Sequence, residues 1–257
     1  AFYSSSIEIM DLPESLEIIG GRAFEESKIR EIHIPDQVKN IEDYAFRCCE
    51  ELKTVSIGKG LQSLIGLTFL DCYVLDTITI AEDNPYLDAV DNVVYSKDHT
   101  SLFLYASGKV DPVYHILENV QTIEANSIRS TQFLEELYIP KSLTTISGLG
   151  IHNNLHLKSI YFQGDAPTLK STFSIDSNAA NLLIYRDPST AGWDADKWIR
   201  FNLADWDPSN MVQIQGTFGD VSWNYEGDKG RIIFTGSGEI PDFTQGSPAP
   251  WNAYISD

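Results

Sequence analysis

The pattern Ile29-Arg-Glu-Ile32-His-Ile34-Pro35 returns as Leu52-Lys-Thr-Val55-Ser-Ile57, Leu75-Asp-Thr-Ile78-Thr-Ile80, Leu134-Glu-Glu-Leu137-Tyr-Ile139-Pro140 and Leu157-Lys-Ser-Ile160-Tyr-Phe162. The step is 23 residues from 29 to 52, from 52 to 75 and from 134 to 157. A second block follows each copy: Val38-xx-Ile41-xxx-Ala45-Phe46, Leu61-xx-Leu64-xxx-Thr68-Phe69, Val120-xx-Ile123-xxx-Ser127-Ile128 and Leu143-xx-Ile146-xxx-Gly150-Ile151. Leu16-xx-Ile19-xxx-Ala23-Phe24 fits one step earlier. A unit this small cannot bury an apolar face alone, so copies must stack and share one continuous core.

The first block ends in strict apolar alternation, which reads as a short strand with one face buried. The rest of each unit is too short for a long helix and two turns. Short 3₁₀ or irregular turns are expected there, with the residues at Phe24, Phe46 and Phe69 forming an inner column. From Ile80 to Ile116 the spacing is 36 residues, 13 more than one period. The excess holds two β-prone runs flanking Lys97-Asp98-His99-Thr100, so a hairpin near 90–106 is expected inside one repeat without breaking the array.

These residues resemble the bacterial surface leucine-rich repeats of the BspA-like, treponemal type, whose consensus runs L-xx-I-x-I-P-xx-V-xx-I-xxx-A-F-xx-C. The stretch from Ile32 to Cys49 follows it closely, and the hairpin-bearing repeat and the ending Leu183-Ile-Tyr with Gly192-Trp193 are similar to variants of that family. The resemblance covers roughly residues 1–207. It implies a leucine-rich repeat solenoid, α/β and horseshoe-like, with a parallel sheet on the concave face and short turns opposite. It also implies a role in adhesion at the bacterial surface, since family members are regarded as adhesins for extracellular matrix proteins.

The expected organisation is a repeat solenoid over 1–207, closed by an aromatic cap at 190–207 that includes Trp193, Trp198, Phe201 and Trp206, and then a small β module at 208–257. Asp207-Pro-Ser-Asn210 reads as a linker. In the module, Val212-Gln-Ile-Gln, Val221-Ser-Trp-Asn-Tyr225 and Arg231-Ile-Ile-Phe-Thr235 are short β-type runs, with Gly227-Asp-Lys-Gly230 as a hairpin tip. Ala1-Phe2 opens in mid-repeat, and Pro250 to Asp257 stops where another array would begin, so the sequence is read as a fragment truncated at both ends.

A formal charge of −19 over 257 residues repels phosphate backbones and anionic headgroups, so neither nucleic acid nor direct membrane insertion is expected. Cys49 and Cys72 share a repeat column with Ser5, Ser27, Thr131 and Asn154, where small side chains bond stacked backbone groups. A Cys49–Cys72 disulfide is conceivable at the spacing of neighbouring coils but is not implied, and Cys48 has no repeat counterpart. His152 and His156 have the i, i+4 spacing of helical zinc ligands, but their repeat position is a turn. The groups Asp83, Asp88, Asp91 and Asp187, Asp194, Asp196 lack calcium-loop spacing and read as solvated surface. No nucleophile or phosphate-loop motif is present, so neither catalytic residues nor a cofactor nor a metal is expected.

The informative surface is the sheet face that stacking leaves open. One outward column runs Asp11, His33, Ser56, Thr79, His115, Tyr138, Tyr161, Tyr185, and a second includes Glu31 and Glu136. Tyrosine and histidine there contribute contact area at low entropic cost, although tyrosine and threonine also suit exposed strands. The inserted hairpin, with Tyr95, Phe103 and Tyr105, is a second candidate surface. The expected function is non-enzymatic binding to a protein or glycan of a host or neighbouring cell surface. The alternative is a passive spacer that displays other modules. If His33 or His115 makes contacts, affinity should change between about pH 5.5 and 7.5.

Overall fold

The computed structural model describes residues 2–207, 215–218, 221–226 and 231–236. It separates into two units, Ala1–Trp206 and Asp207–Asp257. The first is a parallel-strand β-solenoid of about eight turns. Each regular coil contributes one four-residue strand whose alternate side chains point inward. In Glu31–Ile34, Ile32 and Ile34 are buried while Glu31 and His33 are exposed. Thr54–Ile57 and Glu136–Ile139 repeat the alternation with Val55, Ile57, Leu137 and Ile139 inside. Residues Glu31, Thr54 and Thr77 align, as do Val113, Glu136, Ser159 and Leu183, so equivalent positions lie directly above one another.

No helix of any kind occurs among the described residues, so the α component of the expected architecture drops out. The turns opposite the main sheet are irregular and carry three further parallel ladders. One joins Ile18–Ile19 and Asn40–Ile41, a second joins Ser101–Tyr105, Thr122–Ile123, Thr145–Ile146 and Thr168–Leu169, and the third joins Ile128–Arg129, Ile151–His152 and Ile175–Asp176. These two-residue strands exist because each second-block isoleucine or leucine must face the core, which fixes its neighbours as extended.

The inner column is filled as the repeat requires. Phe2, Phe24, Phe46 and Phe69 stack at 5.5, 5.0 and 5.2 Å between ring centroids. Next to it, the Cys49 thiol donates to the Phe24 carbonyl at 3.1 Å and the Cys72 thiol to the Phe46 carbonyl at 3.0 Å. Asn154 and Asn178 do the same to Ile128 and Ile151 farther along. The three cysteines are free. Cys48 has a counterpart after all: with Ser4, Glu26, Asp71, Ser130, Asn153 and Ser177 it forms a column of left-handed turn residues, φ between 52° and 61°.

The insertion differs from the expected hairpin. It is a three-stranded antiparallel meander, Leu87–Val90, Val93–Ser96 and Ser101–Tyr105, whose last strand joins the second ladder. Its Asp91–Asn92 turn lies against the Thr77–Ile80 strand, where the Ile78 amide donates to Asn92 Oδ1 at 3.2 Å. The main sheet is therefore split into a three-stranded part ending at Thr77–Ile80 and a five-stranded part beginning at Val113–His115. The main sheet is interrupted here, while the solenoid continues through the insertion. Gly108 closes the gap on the far side: its amide donates to the Leu75 carbonyl at 2.8 Å, and an added Cβ would sit 2.6 Å from the Val74 backbone.

At the other end, Trp193 and Trp198 are buried and pack edge-on against Phe162, with Phe201 tilted against Trp198. They cover the last coil, and Leu203–Asp205 adds one more strand to the main sheet.

The second unit contains an antiparallel sheet of Gln215–Phe218, Val221–Glu226 and Arg231–Gly236. The first strand begins where the expected Val212–Gln215 run ends. Residues 208–210 of the expected linker, 212–214, the Gly227–Gly230 tip and 250–257 lie outside the described residues.

Candidate functional site: an aromatic ladder on the open face

The parallel, in-register pairing places His115, Tyr138, Tyr161 and Tyr185 at one position of four consecutive strands. Neighbouring strands lie about 4.8 Å apart, and planar rings at that spacing fit only by lying parallel. The centroids are 4.2 Å apart for His115–Tyr138, 4.5 Å for Tyr138–Tyr161 and 4.6 Å for Tyr161–Tyr185, with interplanar angles of 6°, 7° and 8°. Each stacked pair contributes about 1 kcal/mol beyond area burial. The rings spend their faces on one another, and all four side chains are half-buried. The Tyr138 hydroxyl donates to Glu136 Oε2 at 3.0 Å.

The sequence placed His33, Ser56 and Thr79 in this same row, but the Asp91–Asn92 turn divides them from it. Glu31, His33 and Thr79 are exposed and Ser56 is half-buried in the three-stranded part, with His33 Nδ1 and Ser56 Oγ 2.9 Å apart. The structure thus gathers His115, Tyr138, Tyr161, Tyr185 and Glu136 and leaves Glu31, His33, Ser56 and Thr79 separate.

The hairpin candidates fail as a surface. Tyr95 and Tyr105 are each 0% exposed, and Phe103 packs partly buried against the first core. Tyr95 and Tyr114 hydroxyls meet at 2.6 Å inside the second core, while Lys109 Nζ bonds Asp91 at 2.7 Å and also Asp111. The aromatic residues of the insertion are interior because its strands continue the solenoid wall. Asp88 and Asp91 likewise hold the insertion, through His99 at 2.7 Å and Lys109, rather than standing as solvated acids.

Trp206 is the residue that sequence reasoning misplaced. Expected in the cap, it lies on the open face instead, 5.0 Å from Tyr161 and 6.0 Å from Tyr138, inclined at 64° to both. Its amide donates to the Arg186 carbonyl at 3.0 Å and its indole N–H to the Phe162 carbonyl at 3.2 Å. Only the tryptophan's position just after a strand-forming Leu203-Ala-Asp205 could have signalled this.

His115 behaves differently from the sequence expectation. Burial pushes its pKa down to about 4, so the imidazole stays neutral through pH 5.5–7.5 and cannot supply pH-dependent contacts there. The unfolded chain takes up this proton near pH 6.5, so the depressed folded value costs stability only as pH falls below that. Stability should be complete above about pH 6.5 and decline towards pH 4, by roughly 2–3 kcal/mol for this one group. Urea denaturation at pH 7.5 and 4.5 should show that part of the decline disappearing in His115→Phe, which keeps the stack. An identical decline in both proteins would contradict the assignment.

His152 lies in a short strand and His156 in an exposed turn, so they share no helix face. Among the described residues no group of three His, Cys, Asp or Glu is placed to hold a metal ion. No helix of the described residues is long and apolar enough to cross a membrane.

Comparison with known proteins gives the following. The pneumococcal vaccine antigen PcpA is 18% identical over 79% of this chain and 73% of its own, with a TM-score of 0.45. A leucine-rich repeat protein from Eubacterium ventriosum is 20% identical over 80% of this chain and 56% of its own, TM-score 0.49. A leucine rich cell surface protein from Faecalibacterium prausnitzii is 22% identical over 74% of this chain and 51% of its own, TM-score 0.45. The chain therefore spans about half the length of these last two. No curated protein matches it. The family model for the BspA type leucine rich repeat region matches six copies, over residues 1–94 and 112–192. That match takes in most of the solenoid, and the chain belongs to the BspA-type leucine-rich repeat family.

Proposed function

We propose that this chain is a non-enzymatic bacterial cell-surface or secreted repeat protein that binds a macromolecular partner through the open face of its five-stranded sheet. The observation that supports this most is the row of four parallel stacked rings, His115, Tyr138, Tyr161 and Tyr185. A rigid row of ring edges and hydroxyls offers contact area without the entropy cost of ordering flexible side chains. The partner is a protein or a glycan of a host or neighbouring cell, and membership of the BspA-type family supports a place at the bacterial surface.

Adhesion to immobilised matrix proteins tests the reading. Replacing Tyr138, Tyr161 and Tyr185 together by Ser should weaken adhesion at least about tenfold, as expected when a cluster of interface tyrosines is removed. The triple Phe variant keeps the stack and removes only the hydroxyls, which separates lost contacts from lost packing. Adhesion that is unchanged in both, with circular dichroism showing folded protein, would leave the chain as a passive spacer.

A further inference from the structure

The Lys109 side chain is 2% exposed, and its amine sits between two carboxylates, 2.7 Å from Asp91 Oδ2 and in direct contact with Asp111 Oδ2. The three groups meet beside an aromatic cluster. Lys109 Nζ lies 5.5 Å from the centre of the Tyr114 ring, Tyr105 packs edge-on against that ring at 5.2 Å, and the Tyr95 and Tyr114 hydroxyls are 2.6 Å apart. All three tyrosines are buried. The Tyr105 hydroxyl has no hydrogen-bond partner among the described residues, and burial, then the charges of Asp111 and Asp91, push its pKa well up. The carboxylate side chains are 27% and 30% exposed, so a small leaving molecule has a way out to solvent.

Charge balance alone calls for one carboxylate on this amine, and the site supplies two. Condensation of an amine with a carboxyl group needs both: one carboxyl to be attacked and one acid–base group to carry protons. Reactants held in contact reach effective molarities on the order of 10⁵–10⁸ M, which offsets the reluctance of amines and carboxylates to condense in water.

We infer that Lys109 and Asp91 are the two halves of an intramolecular amide bond, with Asp111 as the proton carrier. Asp111, in the tighter contact, takes one proton from the ammonium and frees the nitrogen lone pair. The amine adds to Asp91 Cγ, forming the C–N bond while the carbonyl electron pair moves onto oxygen. Asp111 then returns its proton to an Asp91 oxygen, which takes a second proton from the nitrogen and departs as water. The balance is one ammonium and one carboxylate in, one amide and one water out, with no oxidant and with Asp111 restored.

The bond falls where the main sheet is divided. Asp91 precedes Asn92, whose Oδ1 accepts from the Ile78 amide at 3.2 Å, and Lys109 follows Gly108, whose amide donates to the Leu75 carbonyl at 2.8 Å. Joining Asp91 to Lys109 closes a covalent loop around the strands Val93–Ser96 and Ser101–Tyr105. An amide to Asp111, two residues from Lys109, would close only a ring within one short segment. This staple is independent of what the open face binds.

Intact-mass spectrometry of the folded full chain reads the bond directly, because condensation removes one water. Protein held at neutral pH until its mass is constant should be lighter than its sequence by one water, and proteolysis should release a branched fragment joining the Asp91 and Lys109 segments. Lys109→Arg keeps the charge but has no amine able to add to a carboxyl, and should keep its full mass. Asp111→Asn should slow linkage on the order of a hundredfold, the share of a positioned acid–base group. Full sequence mass in the parent, with circular dichroism showing folded protein, would overturn the bond. A water loss that persists in Lys109→Arg would also overturn it, marking an aspartyl succinimide instead. A branched fragment joining Lys109 to Asp111, or linkage at the parent rate in Asp111→Asn, would overturn the roles given to the two acids.

Discussion

Phe46→Ala should cost about 4 kcal/mol, within the range of 3–5 kcal/mol for deleting a buried phenylalanine. Phe46 is 0% exposed and is gripped on both sides, by Phe24 at 5.0 Å and Phe69 at 5.2 Å. The neighbouring coils cannot collapse into the vacated space, because their separation is fixed by the strand ladders on either side. Phe2→Ala provides the contrast: that ring is 45% exposed and the structure stacks it on Phe24 alone. Its loss should cost less than about 1.5 kcal/mol, since nearly half of its surface is already in water. Urea denaturation of the two variants measures the difference. Since each repeat touches only its neighbours, the Phe46 variant should also show earlier amide exchange in the flanking coils than in those around Leu137 and Ile160. Equal costs for the two positions would mean that the column is not a shared core.

Lys109→Met should cost about 2–3 kcal/mol. The ammonium, whose side chain is 2% exposed, lies between Asp91 and Asp111 and 5.5 Å from the centre of the Tyr114 ring. Removing one partner of a buried ion pair leaves uncompensated charge, typically at 3–5 kcal/mol. Here the carboxylates keep 27% and 30% of their exposure, so water recovers part of the loss. Asp91 and its neighbour Asn92 form the turn that bonds Ile78, so the same substitution should loosen the junction between the two parts of the main sheet. The exposed pair Lys158–Glu135 has nearly the same geometry, 2.6 Å between charges, but 65% and 42% exposure. Lys158→Met should change stability by less than about 0.5 kcal/mol. Equal effects in guanidinium titrations would contradict the role given to Lys109.

What the sequence showed, and what it hid, follows the same division between periodic and non-periodic causes. The strand positions, the phenylalanine column and the hydrogen-bonding column at Ser27, Cys49, Cys72, Thr131 and Asn154 are legible because each recurs, and recurrence in a stacked array means superposition in space. The tyrosine row is legible for the same reason. The wedge at Asp91–Asn92 is not, because it depends on one Asn side chain reaching the Ile78 amide and one buried lysine, neither of which repeats. Tyr95 and Tyr105 were assigned to a surface because a hairpin outside the repeat looks like an excursion. In fact the strand Ser101–Tyr105 pairs with Thr122–Ile123, and consecutive residues are buried both there, at Leu104 and Tyr105, and in the neighbouring strand, at Val93, Val94 and Tyr95. Trp206 escaped because its position is set by the Leu203–Asp205 strand, which joins the sheet without any copy of the repeat pattern.

The most direct test of the central claim, that in-register coils align Tyr138, Tyr161 and Tyr185 into one ladder, is a nuclear Overhauser spectrum of protein deuterated everywhere except its tyrosine rings, assigned by single Tyr→Phe substitutions. Ring-to-ring cross-peaks are expected between Tyr138 and Tyr161 and between Tyr161 and Tyr185, with none joining Tyr138 directly to Tyr185. Absence of the two neighbouring cross-peaks in folded protein would show that these strands are not stacked in register, and the ladder and the proposed binding face would fall together.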